Sequence, residues 1–366
     1  MITKRSQNLE KDIFKNRIKS LKKIINLDSN KAYLTIKSEE VNYFVGFRSS
    51  NAFLLITSKK IVLLTDRRYT QQVKNVKCDV DINYIEKNFQ TSFKKLLEKY
   101  NLSTLLIELR KIPYYFYDKI SKIEGLKIEW LNSELDAFYS TQDEISITKT
   151  KKALKLTEQV YQKLINELRE GITERDLQAE IKYLITKSGF DEAFEPIVLF
   201  GKNSAFPHGI SGRTKLKKNS AILLDFGAKF DGYFSDFTRT IFFGYPDSDF
   251  IKNYNLVNSA IDYAIENIQV GKNYASVHQA ILNYFAKYNV EKYFTHALGH
   301  GLGIYLHNLP LISVNSNDHI DYNQLFTIEP GLYFEGKYGI RLEDIFLIKN
   351  DKCERLNKTS RKLIVV

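Results

Sequence analysis

One repeat constrains the fold of this chain more than any other feature. In its second half, the same order of elements occurs twice at a separation of 100 residues. A long amphipathic run, Ile147 to Arg169, ends at Gly171, and Thr173 then opens a second helix with Asp176 three residues on. That pairing predicts a helix start closed by reciprocal hydrogen bonds. Two strand-like runs follow, on either side of Asp231-Gly232, a dipeptide suited to a tight hairpin turn. The order then returns. A helix from about Ser248 ends at Gly271, another covers Ala275–Tyr288, and strand runs follow at Gln324–Glu329 and Gly339–Ile348. A duplicated helix–helix–hairpin unit predicts a pseudo-symmetric sheet with helices on one face.

Acids interrupt the apolar strands of both hairpins. Asp225 follows Ala221–Leu224, and Asp236 lies on the returning strand. The turn falls midway between them, so the two carboxylates are expected within cross-strand reach. Glu329 and Glu343 repeat the arrangement about Glu335-Gly336-Lys337. Taken singly, an acid in a strand usually faces solvent. If the two repeats pack together, however, four carboxylates converge, and burial without a counter-charge forces them to take up protons or destabilises the fold. Two divalent cations would balance four negative charges. Six histidines occur in the chain, and His296, His300 and His307 lie close together, with Gly299, Gly301 and Gly303 permitting near backbone approach. Four carboxylates and an imidazole form a hard, oxygen-rich donor set. Such a set favours Mn²⁺, with Co²⁺ or Fe²⁺ next, over a closed Zn²⁺ site.

Residues 1–140 read as a separate α/β unit, divided from 141–366 by the polar stretch Ser140–Lys149. Strands are predicted at Ala32–Ile36, Val41–Phe47, Ala52–Thr57, Lys60–Thr65, Thr104–Leu109 and Leu126–Leu131, and helices at Thr91–Tyr100 and Tyr115–Ile123. The net charge of +11 comes from basic residues scattered in short pairs, such as Lys22-Lys23 and Lys217-Lys218. No arginine-rich arm accompanies them, which argues against a nucleic-acid partner. The apolar runs are far too short to span a membrane. Cys78 and Cys353, the two cysteines, form no CxxC and suit a reducing compartment, so the expected location is cytoplasmic.

These segments resemble the pita-bread metallopeptidases, in particular the Xaa-Pro aminopeptidase and prolidase branch. Val45-Gly46-Phe47, Ser49–Thr57 and Asp66-Arg67-Arg68-Tyr69 resemble a creatinase-type N-terminal domain, and Phe200 to Gly209 resembles the segment carrying a substrate histidine. The resemblance implies an α/β (α+β) chain, with a creatinase-type N-terminal α/β domain followed by a pseudo-symmetric pita-bread catalytic domain. It implies that Asp225, Asp236, His300, Glu329 and Glu343 hold two divalent cations, Asp236 and Glu343 bridging them. Glu329 would also carry the proton. His208 and His307 would contact substrate, Arg341 would hold the site's geometry, and His296 would stand nearby. The implied activity is removal of the residue before proline from the N-terminus of proline-containing peptides, by a homodimer. The alternatives are a prolidase and a non-catalytic peptide-binding scaffold, although scaffolds of this fold typically lose ligands and all five are kept here. Two positions depart from the pattern. Asn308 follows His307 where an acid is usual, and Leu311 stands where several prolidase-like relatives have arginine.

Overall fold

The computed structural model describes residues 4–86 and 88–366, which divide into two compact units, the first ending at Phe138 and the second running from Tyr139 to Val366. The first unit carries α1 (Lys4–Ile24), β1 (Lys31–Thr35), α2 (Ser38–Val45), β2 (Ala52–Thr57), β3 (Ile61–Thr65), β4 (Asp81–Tyr84), α3 (Phe89–Lys99), β5 (Thr104–Glu108), α4 (Tyr114–Ser121) and β6 (Lys127–Leu131). Its six strands form one mixed sheet in the order β4-β3-β2-β1-β5-β6. Leu34, Leu55, Val62, Leu64 and Leu105 on that sheet pack with Phe93, Leu97, Phe116 and Ile120 of α3 and α4. Five of the six predicted strands are present.

The sixth, Val41–Phe47, is a correction: it is the helix α2. Six of its eight residues are buried, so the run is apolar on nearly every side and periodicity cannot distinguish a buried helix from a buried strand. Glu39 and Glu40 in the first turn and Gly46 at φ 66° after the last turn are the helix signals that decide it. β4 also went unpredicted, because its half-buried Asp81–Tyr84 has no clear alternation.

After α5 (Asp136–Ser140), the second unit contains α6 (Glu144–Ile165), α7 (Glu174–Lys187), β7 (Asp191–Glu192), β8 (Ile197–Phe200), β9 (Ser220–Asp225), β10 (Ala228–Phe230), β11 (Tyr233–Phe234), β12 (Thr238–Phe243), α8 (Ser248–Glu266) and α9 (Tyr274–Ala286). It closes with β13 (Gly299–Gly301), β14 (Asn308–Ile312), β15 (Leu325–Ile328), β16 (Gly331–Phe334), β17 (Tyr338–Arg341), β18 (Asp344–Lys349) and β19 (Lys352–Arg355). The repeat extends to individual backbone bonds. Gly171 and Gly271 are both left-handed, at φ 90° and 86°, and their N–H groups donate to Leu216 and Ile320 at 2.9 and 2.8 Å. Thr173 and Asn273 then cap α7 and α9, and the Thr173–Asp176 box closes in both directions. Apolar faces of α6 and α7 pack on β8, β9 and β12, while those of α8 and α9 pack on β14 to β18.

Each hairpin is interrupted where it carries an acid. β9 pairs with β12 and, beyond Asp225, β10 pairs with β11 through a turn with Asp231 at φ 50° and Gly232 at φ 89°. In the second repeat β15 pairs with β18, and β16 pairs with β17 around Gly336. The single strand predicted over Gly339–Ile348 is thus two, parted at Leu342-Glu343. The repeats meet edge to edge. Glu343 N–H donates to Thr238 O at 3.1 Å, and Thr240 Oγ1 and Arg341 exchange two backbone contacts at 3.1 Å each.

Candidate metal centre

Register decides how the acids face one another. Glu329 and Glu343 fall opposite each other in one continuous register, which runs from Ile328 with Asp344 on one side to Gly331 with Arg341 on the other. The first pair is displaced. Asp225 pairs with Thr238, not with Asp236, because Asp231 and Gly232 both belong to the turn. A shift of two residues keeps a side chain on the same face, so Asp236 still reaches the same space from the diagonal.

There, single ligand atoms of Asp236, His300 and Glu343 lie within 4.8 Å of one another. His300 Nδ1 faces Gly301 O at 3.1 Å, which fixes the proton on that nitrogen. Its Nε2 lone pair is thereby turned toward Asp236 Oδ2 at 3.6 Å and Glu329 Oε1 at 3.4 Å. Burial also lowers the His300 pKa, which favours the neutral ring. A neutral lone pair facing two carboxylates is repulsive unless a cation or a proton lies among them. Asp225 Oδ1 and Glu343 Oε1 are buried and accept no hydrogen bond. Atoms so placed carry the full desolvation penalty. This donor set therefore fits divalent cations.

Without cations the balance is poor. Burial drives the Asp236 carboxyl well above the ordinary carboxylate range, with Asp225 and Glu329 adding repulsion. Glu343 is raised in the same way, by burial first and then by Asp236, Glu329 and Asp225. Burial pushes Glu329 up to about 7, against the opposing charge of Arg341. Arg341, 3% exposed, is a counter-charge that the charge arithmetic did not include. Its Nη2 binds Asp225 Oδ2 at 2.6 Å, its Nη1 donates to Tyr333 Oη at 2.8 Å, and its Nε donates to Thr238 Oγ1 at 3.3 Å.

These raised carboxyls predict how stability depends on pH. A group whose pKa is higher folded than unfolded holds its proton while the unfolded chain releases it, so its contribution falls as pH rises. For Glu329 the window runs from about 4.3, the ordinary value, to about 7. The expected result is a melting-temperature gap between Mn²⁺-loaded and chelator-stripped protein that widens from about pH 5 to about pH 8. A gap that stays constant or narrows contradicts the electrostatics.

The remaining residues implied by the resemblance surround this cluster. The His307 ring stands 4.3 Å from that of His300 at 58°, and the residue is exposed. His208 is also exposed, one residue beyond Pro207, whose carbonyl accepts Arg341 Nη1 at 3.1 Å. Its loop is clamped by the fully buried Glu174, which accepts from Phe200 N, Asn203 Nδ2 and Gly212 N at 2.8 to 2.9 Å. His296 does not face the acids. Its Nδ1 faces Ala297 O at 2.8 Å, and its Nε2 takes the Tyr333 hydroxyl at 2.9 Å. Burial and the Arg341 charge lower it to about 3, so the ring is neutral. Asn308, the uncharged departure, donates to Tyr139 O at 2.8 Å.

Sequence reading missed Tyr333, Thr238 and Thr327. Thr327 Oγ1 donates to Glu329 Oε1 at 3.2 Å and accepts from His300 N at 3.1 Å. The available signal was strand alternation: Asp236, Thr238 and Thr240 share one face.

Residues 148–350 match metallopeptidase family M24, and residues 17–137 match the creatinase/prolidase N-terminal domain. The chain belongs to metallopeptidase family M24. An Xaa-Pro dipeptidase of Pyrococcus horikoshii is 29% identical over 96% of this chain and 100% of its own length. An uncharacterised peptidase of Methanocaldococcus jannaschii is 32% identical over 95% of this chain and 96% of its own length. Among solved structures, the X-Pro aminopeptidase of Thermotoga maritima superposes with a TM-score of 0.89 at 28% identity, covering 94% of this chain and 100% of that one. The M24 member described here sits in the Xaa-Pro branch of the pita-bread fold. It is a metalloexopeptidase with a creatinase-type N-terminal domain. Family membership implies divalent metal ions, and Asp236, His300 and Glu343 form a suitable cluster.

Proposed function

We propose that this M24 chain is an Xaa-Pro aminopeptidase that works with two divalent cations, manganese first among them. One observation carries the reading: carboxylates from both repeats converge with a neutral imidazole, and Asp225 Oδ1 and Glu343 Oε1 remain bare and buried. Asp225, Asp236, His300, Glu329 and Glu343 would hold the ions. When bound, they supply activation of water and polarisation of the scissile carbonyl.

The chain's own groups supply the rest. Glu329, raised by burial toward neutrality, suits a proton carrier: it takes a proton from the attacking water and returns it to the departing proline nitrogen. His208 and His307 are exposed at the rim and would meet the substrate backbone, stabilising charge as it develops on the carbonyl oxygen. Arg341 and His296, joined through Tyr333, would act by holding Asp225 in place. The substrates are peptides with proline second, in keeping with the names of the two Xaa-Pro relatives. Cys78 and Cys353 are both free, which supports a cytoplasmic location. Among the described residues no helix is long and apolar enough to cross a membrane. A homodimer, expected from the same resemblance, is the assembly that accompanies this reading.

Leu311 favours aminopeptidase over prolidase. A dipeptide presents a free carboxylate close to the scissile bond, and a cation is needed to meet it. Leu311 pairs with His300 on β14 and is 43% exposed, so the position offers an apolar side chain. Ala-Pro-Ala is therefore expected to be cleaved faster than Ala-Pro in a metal-supplemented product assay. Equal or reversed rates would make the enzyme a prolidase, the activity named for the Pyrococcus relative.

A further inference from the structure

Thr238 is completely buried and lies between two charged groups that come from the second repeat. Arg341 Nε donates to its Oγ1 at 3.3 Å, and the same Oγ1 lies 2.8 Å from Glu343 Oε2. Arginine is only ever a donor, so this contact uses the hydroxyl oxygen as acceptor. With Glu343 ionised, as it is when it binds cations, that carboxylate only accepts, so the single hydroxyl proton points at Glu343 Oε2. Glu343 is thus held by one oxygen while Oε1 is left bare. The same guanidinium holds Asp225 by Oδ2 and leaves Oδ1 bare. One arginine therefore orients an acid from each hairpin, one of them directly and the other through a hydroxyl.

We propose that Thr238 is a positioning residue for the metal centre, relaying the orientation of Arg341 to Glu343 so that Oε1 faces the cations. The inference rests on the two-cation reading given above. A strand threonine in this position has an ordinary structural role available to it, because its hydroxyl satisfies a buried arginine. The two roles differ in what they predict. A structural threonine affects melting, whereas a relay affects the affinity for metal. Groups that hydrogen-bond to metal ligands typically alter affinity by about 10–100-fold when removed.

The test is competition between the purified full chain and a fluorescent chelator for Mn²⁺ and for Co²⁺. Thr238→Val keeps the shape and removes the hydroxyl. Its affinity is expected to fall at least about tenfold, while Thr238→Ser, which restores the hydroxyl, stays within about threefold of wild type. Chelator-stripped melts of each variant report the fold. Should the valine variant melt lower than wild type, Thr238→Ala gives the same comparison with no γ-methyl group against the carboxylate. Valine or alanine affinities equal to wild type, or a serine variant as weak as valine, overturn the proposal. A wild-type chain that binds neither cation overturns the two-cation reading instead, so the two failures are distinguishable.

Discussion

Asp236→Asn is expected to reduce peptide cleavage by about 10³-fold or more while leaving the fold intact. Asp236 is 5% exposed, and its Oδ2 faces the lone pair of His300 at 3.6 Å. The amide has nearly the same shape but no charge, so one of four negative charges balancing the cations is gone. Lewis-acid stabilisation at such centres is worth several kcal/mol, and each ~1.4 kcal/mol is a factor of ten in rate. Stability should move the other way in stripped protein. Burial and neighbouring acids already penalise the Asp236 charge, so a neutral replacement relieves repulsion. The stripped variant should therefore melt at or above stripped wild type. Turnover close to wild type would remove Asp236 from the centre, and a collapsed melt would make its role structural.

Glu329→Gln is expected to lower kcat by about 10³-fold with KM changed only a few-fold, within the range typical for loss of a general acid–base group. Glu329 sits just before Pro330, between the end of β15 at Ile328 and the start of β16 at Gly331. Its Oε1 receives the Thr327 hydroxyl at 3.2 Å and lies 3.4 Å from His300 Nε2. Glutamine keeps a donor oxygen but cannot carry a proton. Metal content of the variant separates the two duties: a variant with full metal content and little turnover is the proton-carrier result. Activity that returns fully on adding Mn²⁺ would reduce Glu329 to a ligand alone.

Much of this arrangement was legible in the sequence because it depends on local pairing. Gly171, Thr173 and Gly271 mark the repeat, and each has the turn or cap chemistry its residue type favours. Glu329 and Glu343 could be placed opposite each other because the turn at Gly336 is their midpoint. Asp225 and Asp236 were misplaced by two residues because Asp231 and Gly232 are both turn residues. The error did little harm, since period-two geometry returned Asp236 to the correct face. The helix at Ser38–Val45 was read as a strand because burial on nearly every side erased its periodicity.

What could not be read depends on how the two repeats meet. Thr238 and Glu343 are 105 residues apart, and Arg341 and Asp225 are 116 apart, yet each pair is in contact. Nothing in the local pattern of Asp236-Phe237-Thr238-Arg239 says which hydroxyl or guanidinium will touch an acid from the other hairpin. Arg239 illustrates the point. It is 1% exposed, binds Asp344 at 2.6 Å and donates to the backbone carbonyl of Glu343, although its sequence setting is an apolar strand. His296 is the converse case. Its place near the cluster was expected, but the tyrosine that engages it was not.

The most direct test is the number of metal ions bound by the folded chain. Stripped protein titrated with Mn²⁺ and then dialysed should retain two ions per chain by elemental analysis. The Asp236→Asn protein should retain fewer. A wild-type chain that stays empty with manganese and cobalt both in excess would mean that its buried acids are neutralised by protons, and the account of this centre would fail.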